Sequence, residues 1–213
     1  MKKLLYALLI LNFVSCTNSS NKKSDETKSK TKDSLKKEQI VENNEFKELD
    51  NSNYELPSLI YDGKIVTKRI WQDSNSDNIA LFTQKENELF VYHFVSNSDS
   101  IKLLRRIYDF EEDCDFDLTL EFIENSIGIT DLDNNNFGEI TFAYKKACIS
   151  DVSPKDLKLI MLENGNKFII RGQTLVDLGD VKIGGDKNID PSFENAPDNF
   201  LPHANKLWAS INK

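Results

Sequence analysis

The chain has 213 residues, enough for one domain plus an extension, and 39% of them are hydrophobic. Its 27 Lys and Arg against 35 Asp and Glu give a formal net charge of −8, which argues against attraction to nucleic acid or anionic lipid through the bulk field. Two His and three Cys leave little material for a zinc cluster or a Ser-His-Asp arrangement.

In chain order, Lys2 and Lys3 give a positive start, and Leu4 to Val14 is apolar apart from Asn12. Such a run is too short to span a bilayer, which takes roughly 20 apolar residues, but it fits the apolar core of an export signal, roughly 7–15. Ser15 supplies the small residue expected before cleavage, so residues 1–15 read as a signal peptide. Phe13-Val14-Ser15-Cys16 resembles the lipobox of bacterial lipoproteins, with Phe13 where Leu is usual. The resemblance implies cleavage before Cys16, a thioether-linked diacylglycerol on Cys16 and acylation of the new amino terminus. The expected location is the bacterial outer membrane, on its periplasmic or cell-surface face. The alternative is an ordinary signal peptide whose cleavage leaves a cysteine nearby.

Residues 16–50 read as a lipidated, flexible tether. Up to Glu38 its only large apolar side chain is Leu35, so it buries too little to offset the entropy of ordering. Eight Lys balance eight acidic residues there, and the pattern allows a short helix over 39–49. Residues 51–213 carry 17 basic and 27 acidic residues, a formal charge of about −10. Such a charge attracts divalent cations or a basic partner, though most of it serves solubility.

From residue 59 the chain alternates short apolar, β-branched and aromatic runs with turn residues. The runs are 59–62, 64–71, 78–84, 88–95, 101–110, 116–123, 126–130, 139–146, 157–162 and 167–176. This predicts a mainly β (α+β) fold, a single antiparallel β-rich domain. In 116–123, Phe116, Leu118, Leu120 and Phe122 share one face. Asn164-Gly165 is the strongest hairpin signal, because both residues tolerate positive φ. Ser153-Pro154-Lys155-Asp156 has a helix-start signature and predicts a single turn. Phe200, Ala204, Leu207, Trp208 and Ile211 follow helical spacing, with Asp198 or Asn199 as cap. They predict a C-terminal amphipathic helix packed on the sheet.

Cys114 and Cys148 form an even pair in a compartment that permits disulfides; a bridge is expected, with two buried thiols as the alternative. The most specific constellation is Asp131-Leu132-Asp133-Asn134-Asn135-Asn136-Phe137-Gly138-Glu139. Oxygen side chains fall at loop positions 1, 3, 5 and 9, which turn a chain around one hard cation. Asp131, Asp133, Asn135, the Phe137 carbonyl and Glu139 together approach the six to eight oxygens that Ca²⁺ takes. The loop resembles the DxDxDG-type calcium loops of integrin-like FG-GAP repeats, with Asn136 in place of the usual turn Gly and Glu139 in place of Asp. The alternative is a polar turn without an ion. The expected role is structural, with affinity of about 10⁻⁴–10⁻³ M because only three ligands are charged.

Asp73-Ser74-Asn75-Ser76-Asp77 echoes that loop but lacks an acid at position 9, and reads as an ordinary turn. The acids Asp109, Glu111, Glu112, Asp113, Asp115 and Asp117 read as a solvated loop flanking Cys114. His93, inside an apolar run, reads as a core or strand histidine.

Four blocks, DFEEDCDFDLTLEF, ITDLDNNNFGEITFAYKKAC, DVSPKDLKLIMLENGNKFIIRG and DPSFENAPDNFLPHANKLW, resemble a family of small lipoproteins from Bacteroidota that carry the label of surface polysaccharide biosynthesis proteins. The resemblance spans roughly 60–210; it implies export and a cell-surface role but no reaction and no catalytic residues. Three functions follow in order: a calcium-stabilised, non-enzymatic monomer binding glycan or an envelope protein; an accessory to polysaccharide biosynthesis or export; and a carboxylate-based hydrolase. No nucleic-acid partner is expected.

Overall fold

The central strands of both sheets are buried on both faces, so they read as nearly unbroken apolar runs, as in IALF, LFVYHFV and LIML. The computed structural model describes residues 45–52, 54–97 and 100–212, all within one compact unit. The expected signal peptide, Cys16 and the expected tether as far as residue 44 lie outside the described residues.

The first sheet is an antiparallel meander of β1 (Lys47–Glu48), β2 (Lys64–Asp73), β3 (Ser76–Lys85), β4 (Glu88–Ser96) and β5 (Ile101–Phe110), in that order. Next come β6 (Leu118–Phe122), β7 (Gly128–Thr130), β8 (Glu139–Cys148), β9 (Asp156–Glu163) and β10 (Asn166–Gln173). A small ribbon, β11 (Leu175–Asp177) with β12 (Lys182–Gly184), precedes β13 (Lys187–Ile189). The second sheet runs β13-β10-β9-β8-β6, with β7 also paired to β8. A 3-10 turn (Pro191–Asn195) leads to the helix α1 (Phe200–Ile211).

Three apolar layers hold these pieces together. Between the sheets, Trp71, Ala80, Phe82 and Val91 meet Ile140, Phe142, Ile160 and Leu162. Phe82 stands edge-on to Phe122 and Phe142, each at 5.2 Å. Beyond the second sheet, Leu157, Leu159, Met161 and Ile170 pack under Phe193, Phe200, Ala204 and Trp208. Beyond the first, Ile70, Leu81, Phe90 and Tyr92 lie under Leu49, Tyr54, Leu56 and Leu59. Each fully buried side chain of this size contributes about 1.5–3 kcal/mol of transfer free energy. The fold is therefore the expected antiparallel β-rich domain with a C-terminal helix packed on a sheet.

Local expectations fare unevenly. Asn164 and Gly165 have φ of 42° and 80° and join β9 to β10, with Glu163 opposite Asn166. Residues 59–62 are not a strand; they belong to the segment lying across the first sheet, where the Asp62 N–H donates to the Tyr92 hydroxyl at 3.0 Å. Ser153-Pro154-Lys155 forms no helical turn, because the Lys155 N–H goes instead to Thr174 Oγ1 at 2.9 Å. Residues 45–49 are not helical: Lys47–Glu48 pair with β2, and Phe46 and Leu49 join the cores. Phe116 falls outside β6 and is exposed, so the shared face holds for Leu120 and Phe122. Asn199 caps α1 by position, but its side chain donates to the Leu132 carbonyl and not to the helix. The sulfurs of Cys114 and Cys148 lie 2.06 Å apart, which ties the acidic loop to the end of β8. No helix among the described residues is long and apolar enough to cross a membrane.

Candidate metal centre

Three turns gather at one end of the sandwich. The β2–β3 turn meets the 131–139 loop where the Ser74 N–H donates to the Asn136 carbonyl at 2.8 Å. The same turn meets the β9–β10 turn where Asn75 Nδ2 donates to Asn164 Oδ1 at 3.1 Å. The two Asp-rich turns of the sequence are thus neighbours in space.

The loop is wound by its own carboxylates. Asp131 accepts the N–H groups of Asn135 and Asn136 at 3.1 and 3.2 Å. Asn134 and Asn136 take φ of 57° and 61°, the left-handed region that asparagine tolerates better than most side chains. The Phe137 N–H donates to Asn135 Oδ1 at 2.7 Å. Leu132 anchors the loop from below, its side chain packed in the helix-side core.

Glu139, the first residue of β8, is fully buried. Its carboxylate accepts from Thr130 Oγ1 at 2.8 Å and from the Leu132 N–H at 3.0 and 3.1 Å. Burial pushes its pKa up to about 7 despite those bonds, and the Glu163 and Asp133 charges add to the rise. Carboxylate oxygens of Asp131, Asp133 and Glu139 lie within 4.8 Å of one another. Three hard oxygen donors at that separation suit Ca²⁺, whose ligands stand at about 2.3–2.6 Å. The other side chain of the expected set, Asn135, turns its oxygen to Phe137 and its Nδ2 to Asp133 and Glu163, at 3.0 and 2.8 Å.

Two further acids lie at the site: Glu163, for which the sequence carries no signal, and Asp73, whose turn reads as an ordinary one. Glu163 lies across the sheet from Glu139 in register and is nearly buried. Burial raises its pKa, and the charges of Asp133, Asp131 and Asp73 raise it further. Asp73 is also buried, and its Oδ2 accepts from Trp71 Nε1 and from the Gly138 N–H, both at 2.9 Å. The usable signal was Trp71-x-Asp73, which puts both side chains on one strand face. The 65-residue separation from Gly138 hid the rest.

The other candidates part company. Asp109 turns inward, accepting the Tyr144 hydroxyl at 2.7 Å and pairing with Lys146 and Lys158. Glu112, Asp113, Asp115 and Asp117 stay exposed. His93 is buried, with Nε2 2.9 Å from Asn78 Oδ1, and burial pulls its pKa down to about 4.

Glu163 also lines a polar cleft of about 520 Å³, so the loop borders a concave surface. Comparison of the chain with protein-family models, curated proteins and solved structures finds no match.

Proposed function

We propose that this chain is an exported lipoprotein, held to the outer membrane by lipid on Cys16. In this reading its acidic domain binds a glycan or envelope protein, with the 131–139 loop holding a structural Ca²⁺. The convergence of Asp131, Asp133 and buried Glu139 is the observation that supports the metal in this reading, since carboxylates this close repel one another and a cation among them relieves the repulsion. The cation's work is structural: it would fasten the loop that joins the β2–β3 turn to the second sheet, beside the cleft. A role in surface polysaccharide biosynthesis or export is the more specific form of this reading, supported by the resemblance of the four sequence blocks.

Thermal unfolding of the full-length chain in detergent tests the metal. At 10 mM Ca²⁺ and a Kd of about 10⁻⁴–10⁻³ M, binding stabilises by about 1.4–2.7 kcal/mol, raising Tm by about 3–10 °C over chelator. An unchanged Tm contradicts the structural role. Labelled palmitate should enter the wild-type chain in a bacterial host and not Cys16→Ala. A deletion strain profiled for surface glycans tests the polysaccharide form, with an unaltered profile counting against it.

A further inference from the structure

The cleft beside the loop is lined on one side by two cations, Arg105 and Lys167, neither of which makes an ion pair among the described residues. Two neighbouring basic side chains are paired: Lys158 with Asp109, and Arg171 with Asp190. Lys167, on β10, makes no side-chain hydrogen bond and no ion pair among the described residues. Burial first, and then the charges of Arg171, Arg105 and Lys158 against that of Asp190, hold its ammonium below the ordinary lysine range. Arg105 reaches in from β5, and its Nε donates to the Gly165 carbonyl at 2.7 Å, which fixes the guanidinium. Its Nη1 makes no hydrogen bond among the described residues. Neutral donors complete the lining: the amides of Asn166 and Asn195, neither of which makes a side-chain hydrogen bond among the described residues, and the Ser192 hydroxyl beside Asp190.

A fixed guanidinium edge beside an unpaired ammonium is the arrangement that recognises a carboxylate or phosphate. The amides and hydroxyl suit alcohol groups. The volume, about 520 Å³, is that of a small-molecule site. The domain's charge of about −10 disfavours a densely charged polymer, so the ligand's negative charge must be sparse. Glu163 forms the wall toward the loop, where Asn135 Nδ2 holds it at 2.8 Å. We propose that the cleft bounded by Arg105, Lys167, Asn166, Ser192 and Asn195 binds a saccharide bearing one anionic group, a carboxylate or a phosphate. This deepens the reading of an envelope binding domain and rests on it for the ligand's setting, while needing no metal.

The test is titration of the full-length chain, in chelator, with sodium glucuronate, glucose 1-phosphate, inorganic phosphate and glucose, followed by backbone amide chemical shifts. Saturable shifts should appear around Lys167 and Asn195 with glucuronate, glucose 1-phosphate or both, which identifies the anionic group. Glucose should bind at least tenfold more weakly than the better acidic sugar. Lys167→Gln, an edge substitution, should weaken acidic-sugar binding at least tenfold with Tm and Ca²⁺ response unchanged; Arg105→Gln should do the same if the domain tolerates loss of the Gly165 contact. Binding of inorganic phosphate as tight as either sugar, binding unaffected by Lys167→Gln, or no saturable shift with either acidic sugar overturns the proposal. Because chelator is present throughout, those outcomes leave the Ca²⁺ result standing or falling separately.

Discussion

Asp73 serves three donors at once: Trp71 Nε1, the Gly138 N–H and, through its other oxygen, the Asn75 N–H at 2.7 Å. Asp73→Ala strands two of these in the core, and an orphaned buried donor costs about 1–3 kcal/mol. We expect a loss of about 2–5 kcal/mol in urea unfolding; a loss under 1 kcal/mol would show that water replaces the carboxylate without strain. Gly138 is constrained by space, since a Cβ there would fall on Trp71 Nε1 and come within 2.9 Å of Phe46. Gly138→Ala should cost about 1–3 kcal/mol, the range for overpacking. It should also weaken the Ca²⁺ response, because the loop must shift. His93 belongs to this scale as well. It stays neutral in the fold down to about pH 4, while the unfolded chain takes up the proton below about 6.5. The unfolded state therefore binds more protons in that window, and stability present above pH 6.5 is lost as pH falls toward 4. The gap corresponds to on the order of 3 kcal/mol. Unfolding measured from pH 7 to 4 should fall more steeply for wild type than for His93→Gln; parallel curves would rule the histidine out.

At the scale of elements, pairing depends on signals of very different reach. The β9–β10 hairpin was legible because Asn164 and Gly165 announce their own backbone conformation. The helix α1 was legible because its apolar stripe meets the core along its length. Residues 59–62 looked like a strand because covering a sheet takes the same apolar side chains as forming one. The Ser153-Pro154 signature failed because a local cap competes with a nonlocal bond to Thr174. β1 was missed because two residues carry no period. The loop's three carboxylates were legible by spacing, whereas Asp73 and Glu163 reached them only through tertiary contact. The covalent tie between Cys114 and Cys148, across 34 residues, restrains the unfolded chain by about 3–4 kcal/mol in the loop-entropy model. The Cys114→Ser, Cys148→Ser double variant should lose about that much in urea unfolding, and a loss below 1 kcal/mol would show that pairing with β6 already holds the end of β8.

Across the described residues, the buried acids gather where the turns of both sheets converge. Asp73, Glu139 and Glu163 are buried there, beside the half-exposed Asp131 and Asp133, and carboxylates so close hold one another's charge at a cost. A divalent cation would offset that repulsion and add a further tie between the two sheets, beside those of Asp109 to Tyr144 and Arg105 to the Gly165 carbonyl. The central claim, that the 131–139 loop binds such a cation, is tested most directly by calorimetric titration of the full-length chain with Ca²⁺ beside Asp131→Ala. Wild type should give a saturable single-site heat with Kd of about 10⁻⁴–10⁻³ M and the variant none; equal heats from the two proteins would contradict a cation in the loop.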